Sequence, residues 1–498
     1  MPSRLSFPSL GLSLSLSLVL ALAPVPRSIA QSIRLPDIGD PSQAYFGPDE
    51  EQRMGLEIMR QLRERGAVMD DVQANEYLNS IGQSIATYAD QNGVPFTFFM
   101  VRDSGINAFA LPHNFIGINA GLLLATQRED ELAGVIAHEI AHVSQRHIVR
   151  AIADMKRMTL PMAAAMVAGA ALAAASKQAG QAAMVGTMAA GAQHQVSFTR
   201  ANEQEADRIG MQLLVRAGFD PRGMSDFFAK LERMAGGEAR NRVPEMLLTH
   251  PRPENRAADT QDRIEIPPMR RAAPRDRKAY ELTKARVRVL ATDDNNSLIR
   301  DLETTLAKGG YASETAQRYA YALALRQAGR YDDAQQQVNR LLRSDPDRLA
   351  FRIEAAELAL AREDRAQGWR LFEEARQIYP DDFTLAMHYG RALATQGDPK
   401  LAMRLLQPHL RRRPNDPALY ASYAQAAQRS GDLAATHATM AEHHYLNGEL
   451  LPAIEQLEQG LKNSNLSPNQ EAQLRARLRQ IRTEAIAQGL SVPKRDAP

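Results

Sequence analysis

Pro346, Pro380 and Pro414 stand 34 residues apart, and this interval restricts the folds open to the second half of the chain. Each proline closes a helix-forming stretch: Arg343-Ser344-Asp345, Gln377-Ile378-Tyr379 and Arg411-Arg412-Arg413 precede them. Gly329, Gly397 and Gly431 keep the same phase and mark a turn inside each unit, with Glu363 where the second unit should have glycine. Ala334, Gly368 and Ala402, five residues later, are small enough for two helices to approach. A generic helical bundle has no reason to repeat three prolines at one period. A helix pair cannot bury its own apolar face alone, so such units stack on their neighbours into a solenoid.

These positions resemble the tetratricopeptide repeat family over about residues 310 to 465, with Gly448 and Ala453 marking a further, shortened unit. The resemblance implies a concave groove for extended peptides or partner helices, and no catalytic chemistry.

The chemistry lies upstream, where residues 138–142 read His-Glu-Ile-Ala-His. On a helix His138 and His142 share one face, a turn apart, and can reach one metal ion. Glu139 can then take a proton from an attacking water, as in the zinc peptidase pattern H-E-x-x-H. A helix is expected here. Thr126-Gln127-Arg128-Glu129 has capping-box form, Glu129, Asp130 and Glu131 favour a helix start, and Leu132, Val135, Ile136, Ile140 and Val143 recur at helical spacing.

The motif needs a third ligand. The extended form H-E-x-x-H-x-x-G-x-x-H is excluded, because Gln145 and Ile148 occupy its Gly and His positions. His147 lies about 140° around a continuous helix from His142 and reads as a surface residue. A carboxylate from a second helix is the alternative. The segment from Arg200 to Gly218 supplies such a helix, with Glu203 and Glu205 as candidates. Glu203 shares a face with Ala206, Asp207, Gly210, Leu213 and Leu214, the small and apolar side, whereas Glu205 lines up with Gln212 and Arg216 and reads as solvated. Glu203 is therefore the chosen ligand, and Asp207 can accept a hydrogen bond from a ligand histidine.

Residues 104–147 and 197–210 resemble the HtpX-like and CAAX-prenyl-protease family of zinc endopeptidases, whose pattern is H-E-x-x-H followed by E-x-x-x-D. The resemblance implies a mainly α, zincin-like (gluzincin) fold, one zinc ion held by His138, His142 and Glu203, and Asp207 supporting a ligand. Asn107-Ala108-Phe109-Ala110 also matches, and in the family leads into an edge strand beside the cleft. Phe115, Ile116, Gly117 and Ile118 are the expected edge strand here, to which an extended substrate can add. Leu111-Pro112-His113-Asn114 departs from the Gly-Gly turn common among relatives, and His113 reads as a surface loop residue. Thr249-His250-Pro251, followed by Arg256, resembles a further family feature. His250 has three readings: a donor to the oxyanion of the reaction, an occupant of the open zinc position that holds the enzyme latent, or a plain turn residue.

The 498 residues divide into a signal peptide (1–30), a metallopeptidase domain (31–265), a Pro/Arg-rich linker (266–280), a helical connection (281–309) and the repeats (310–498). Arg4, the apolar run Leu10 to Ala23 and Ser28-Ile29-Ala30 have signal-peptide form, with cleavage near Ala30. The absence of cysteine excludes disulfides and thiolate metal sites and suits a bacterial periplasm. A net charge of +2 without a basic aromatic patch argues against nucleic acid. Met158 to Gln193 is rich in Ala, Met and Gly. It reads first as two buried helices, then as a segment touching a membrane surface or membrane-protein client, and last as a span; a lid over the cleft fits the first two.

The combined architecture resembles the periplasmic barrel-assembly-enhancing proteases. That likeness implies misfolded or stalled outer-membrane proteins as substrates, the outer-membrane barrel-assembly machinery as partner, and client choice by the repeats. The alternative is a mainly latent protease working as a chaperone or adaptor.

Overall fold

The computed structural model describes residues 47–89, 93–154, 200–236, 244, 246–247, 250 and 276–492. The expected signal peptide, the 158–193 segment, Arg256 and linker residues 266–275 lie outside them. The described residues fall in one compact unit, Ser42–Pro498, and none of their helices is long and apolar enough to cross a membrane.

Helix α1 (Pro48–Glu64) opens on proline with Asp49, Glu50 and Glu51 in its first turn. Helix α2 (Val72–Ala86) is capped by Asp71, which accepts from the Ala74 amide at 2.9 Å, and buries Leu78, Ile81 and Ile85. Strands β1 (Thr97–Val101), β2 (Ala108–Leu111) and β3 (Phe115–Asn119) form one sheet in the order β1-β3-β2, with β1 parallel and β2 antiparallel to β3.

This order corrects the expectation for Phe115, Ile116, Gly117 and Ile118. They form the central strand, bonded on both sides and wholly buried, so no substrate can add to them. The edge beside β3 is β2, the Ala108–Leu111 segment. Residues 112–114 join the two strands, and His113 (φ 66°) and Asn114 (φ 60°) both adopt left-handed backbone. Two successive positive φ values are what a tight hairpin asks for.

Helix α3 (Ala120–Ala125) leaves β3 directly. Helix α4 (Glu129–Ser144) carries the pentapeptide, and every residue from Glu131 to His142 is buried. The expected capping box is not formed, since Arg128 is the N-cap and makes no side-chain cap bond. Thr126 instead ends α3, its hydroxyl donating to Leu123 O and meeting the Tyr280 hydroxyl. Glu131 substitutes by accepting from the Gln127 amide at 2.9 Å. Among the described residues there follow α5 (147–154), α6 (200–217) and α7 (Arg222–Gly236).

Helix α8 (Arg277–Leu290) begins within the stretch read as linker. One of its faces sends Tyr280 and Val287 into the core of the N-terminal domain, and another sends Leu282, Ala285 and Val289 into the core of the first repeats. After α9 (Asn295–Lys308) come the helix pairs α10/α11 (Glu314–Gln327, Tyr331–Ser344), α12/α13 (Leu349–Ala361, Arg365–Ile378), α14/α15 (Phe383–Gln396, Pro399–Arg412) and α16/α17 (Pro417–Ser430, Leu433–Leu446). Helices α18 (Leu450–Leu461) and α19 (Pro468–Ala487) complete the stack. The periodic prolines lie between pairs, as the interval requires.

The start of α2 inserts among the first helices of successive pairs. Asp71 is bound by both Nε and Nη2 of Arg286 at 2.7–2.9 Å. Arg286 also donates to Tyr319, which donates to Gln73. Val72 packs with Phe383, Met387, Leu406 and Leu419, and Arg413 holds Glu76 through two bonds of 2.6 Å. Part of the repeat surface is thus filled by the protein's own N-terminal domain.

Two outcomes follow for stability. Asp71→Ala leaves Arg286 buried without its carboxylate and should cost about 3–5 kcal/mol in urea unfolding. Burial opposes ionisation of Asp71, but Arg286 outweighs it and holds the carboxyl below its ordinary value. Its contribution should be complete above about pH 3.9, the unfolded value, and fade as pH falls through the lower folded one. Within the repeats, Gly329 (φ 75°) and Gly431 (φ 81°) turn in left-handed backbone, and exposed Glu363 is forced into it at φ 64°, whereas Gly397 is not. Glu363→Gly should therefore stabilise the chain by about 0.5–1 kcal/mol, readable as a higher urea midpoint.

Candidate metal centre

Helix α6 crosses α4 at Gly210. A Cβ there would lie 3.1 Å from both Ala137 O and His138 N, so the two backbones meet beside the first histidine. Ala206, Leu213 and Leu214 are buried on the same side, so the face read from the sequence is the packed one. The crossing carries Glu203 over the pentapeptide.

His138 Nε2 and His142 Nε2 stand 3.0 Å apart. Glu203 lies 3.4 Å from each, through Oε2 and Oε1. His250 Nδ1 lies 3.4 Å from His138 Nε2 and 3.1 Å from Glu203 Oε1. All four side chains are buried, and the four donor atoms lie within 4.8 Å of one another. A tetrahedral site with bonds of about 2.0–2.1 Å has donor–donor edges of roughly 3.3 Å. Asp207 Oδ1, 3.0 Å from His138 Nδ1, fixes the proton on that nitrogen and leaves the Nε2 lone pair free. Two imidazole lone pairs and a carboxylate pointed at one spot repel unless a cation lies between them. The donor set fits a metal ion.

The electrostatics agree. Burial, reinforced by His138, pushes His142 down to about 3, so it is a neutral donor. Burial alone would raise Glu203, but its contacts with His138, His142 and His250 hold it far below the ordinary carboxylate range. Glu139 is 1% exposed, and its Oε1 has no hydrogen-bond partner. It lies 3.6 Å from His250 Nε2. A buried carboxylate oxygen without a hydrogen bond is costly to maintain and suits a group that must accept a proton during a reaction. His250 is anchored through its own amide to Met246 O, and Met246 bonds Ile106 O just before β2.

The structure revises two outlying residues and leaves a third outside the centre. His147 is not a surface residue but 3% exposed, with Nδ1 3.0 Å from His142 Nδ1. The 140° estimate assumed a continuous helix. Instead α4 stops at Ser144, Arg146 turns through φ 55°, and α5 starts afresh at residue 147. Glu205, read as solvated, is half-buried and contacts His147 Nε2 at 3.2 Å. The helical angle could not reveal either; a histidine just beyond a helix end with no capping glycine was the available signal. His113 stays outside the centre, its ring against Phe115.

The crossing makes a testable demand. Gly210→Leu would drive side-chain atoms into the α4 backbone. It should destabilise the chain by about 1–3 kcal/mol in urea unfolding and lower the metal bound per chain, measured by atomic emission on purified protein.

Residues 72–264 match Peptidase family M48, and residues 359–426 match a tetratricopeptide repeat. The chain is 34% identical over 449 residues to the beta-barrel assembly-enhancing protease of Yersinia pestis, which covers 90% of this chain and 91% of that one. It is 33% identical over 448 residues to the beta-barrel assembly-enhancing protease of Escherichia coli strain K12, at the same coverage. The metalloprotease YcaL of Escherichia coli is 30% identical over 173 residues, 35% of this chain and 64% of that one. With a buried His/Glu centre on a zincin-like fold and helical repeats behind it, the chain belongs to peptidase family M48, as a repeat-bearing metallopeptidase of the beta-barrel assembly-enhancing protease type.

Proposed function

We propose that this metallopeptidase is a periplasmic zinc endopeptidase that cleaves misfolded or stalled outer-membrane proteins and assists their assembly. The observation that carries the catalytic part is the convergence of His138, His142 and Glu203 beside a Glu139 oxygen that makes no hydrogen bond. His138, His142 and Glu203 would hold the zinc, which when bound would supply Lewis acidity to the scissile carbonyl and the attacking water. Glu139 takes the proton of the attacking water and passes it to the leaving nitrogen. Asp207 keeps His138 in the tautomer that presents Nε2.

Substrate enters as an extended strand along β2, Ala108–Leu111, which has β3 as its one strand partner among the described residues. Outer-membrane proteins in transit expose unpaired strands, which suits such an edge. The relatives' name, the export-like leader and the absence of cysteine support the client class and the compartment. The repeats choose clients and meet the barrel-assembly machinery on surfaces that α2 leaves open. A role for residues 158–193 as lid or membrane-surface contact belongs to the same proposal.

His250 favours a second reading of the resting state. Its Nδ1 sits at the fourth corner of the donor set, where it competes with water and holds the protease latent. A chaperone or adaptor role for the latent form then becomes the alternative function.

One experiment separates these readings: zinc content and cleavage of an unfolded outer-membrane protein by wild type, Glu139→Gln and His250→Ala. Glu139→Gln should retain zinc and lose cleavage by about 10²–10⁴-fold. A latching His250 predicts faster cleavage in His250→Ala, whereas an oxyanion donor predicts a loss of about 10²–10³-fold. Zinc-loaded wild type and His250→Ala that both cleave nothing would sink the protease reading and leave the adaptor.

A further inference from the structure

We propose that His147 and Glu205 form a positioning relay for His142. This rests on the reading of His138, His142 and Glu203 as metal ligands. His142 turns Nε2 toward His138 and Glu203, and its other ring nitrogen toward His147 Nδ1 at 3.0 Å. Only one proton fits between two facing Nδ1 atoms. A ligand needs a lone pair on Nε2, so the proton of neutral His142 sits on its Nδ1, and His147 Nδ1 accepts it. The proton of His147 is thereby assigned to Nε2, which donates to Glu205 Oε2 at 3.2 Å. Arg150 Nη2, 3.4 Å from the same oxygen, steadies the carboxylate.

Every hydrogen bond then runs one way, from ligand to acid, and no imidazole carries charge. His138 has the short form of the same device, a direct bond to Asp207. His142 has no acidic residue within direct reach of its Nδ1 among the contacts described, and His147 bridges the gap to one. The bridge exists because α4 breaks at Gln145-Arg146 and α5 returns His147 toward His142. It fixes the rotation of the His142 ring and strengthens Nε2 as a donor. Neither His147 nor Glu205 touches substrate in this role.

The test uses the full-length protein and zinc alone, with dissociation constants from competition against a chromophoric chelator. His147→Leu keeps the volume and removes the acceptor; it should weaken zinc binding about 10–100-fold. His147→Asn, whose side-chain oxygen can accept from His142 Nδ1, should recover part of the loss. Glu205→Gln should weaken binding less than His147→Leu. Thermal unfolding of the zinc-free variants reports whether each is folded, and if His147→Leu is not, Glu205→Gln decides. Zinc affinity within about threefold of wild type in the folded His147→Leu, or in Glu205→Gln where that variant decides, overturns the relay. Glu203→Gln serves as the reference: unchanged affinity there refutes the ligand assignment itself, whereas loss there with retention in His147→Leu refutes the relay alone.

Discussion

The site depends on one helix crossing. Two histidines a turn apart come free with any helix, but a third donor must arrive from about sixty residues away in the chain. Gly210 lets α6 lie against the backbone of α4 at His138, and Glu203, two turns earlier on the same face, follows. The crossing places a carboxylate against two imidazoles, and His250, held through Met246, adds a third in a pocket with almost no solvent. Such a cluster is expensive to bury unless a cation and the surrounding hydrogen bonds compensate it. Asp207, His147 and Glu205 supply those bonds from the outer side, leaving the inner lone pairs pointed at one place.

A second constraint joins this centre to the repeats. Helix α8 puts one face in each core, and Asp71, at the cap of α2, is locked by Arg286. From Arg286 a polar chain continues through Tyr319 and Gln73 toward His388, which meets Glu357 beside Arg326 and Glu354. Tyr319, Arg326, Glu354, Glu357 and His388 sit on the first helices of successive repeats, the surface that recognition domains of this kind usually offer to partners. Here the catalytic domain occupies part of it. Protease and repeats are consequently one folded body.

Much of this was legible in advance, for identifiable reasons. The 34-residue interval depends on proline ending a helix, a local property, so the repeats could be read from Pro346, Pro380 and Pro414. Glu203 was separable from Glu205 because an amphipathic face is written in residue spacing. The failures share a cause too. Thr126 looked like a cap because the three residues after it fit a local pattern, yet Tyr280, distant in sequence, claimed its hydroxyl. Phe115 to Ile118 looked like an edge because strand order is a property of pairing, which spacing cannot express. His147 was misplaced because a helix was extended one turn past its actual end.

The sequence by itself determined which residues carry reactive groups, which elements they ride on and the repeating unit of the second half. These follow from helix periodicity, proline geometry and motif spacing, all local. Only the tertiary structure decided that β2 and not β3 is the free edge, that His250 stands among the candidate ligands, that His147 backs His142, and that the repeats hold their own catalytic domain. Each of these is a meeting of segments far apart in the chain, fixed by packing and by the need of buried polar groups for partners.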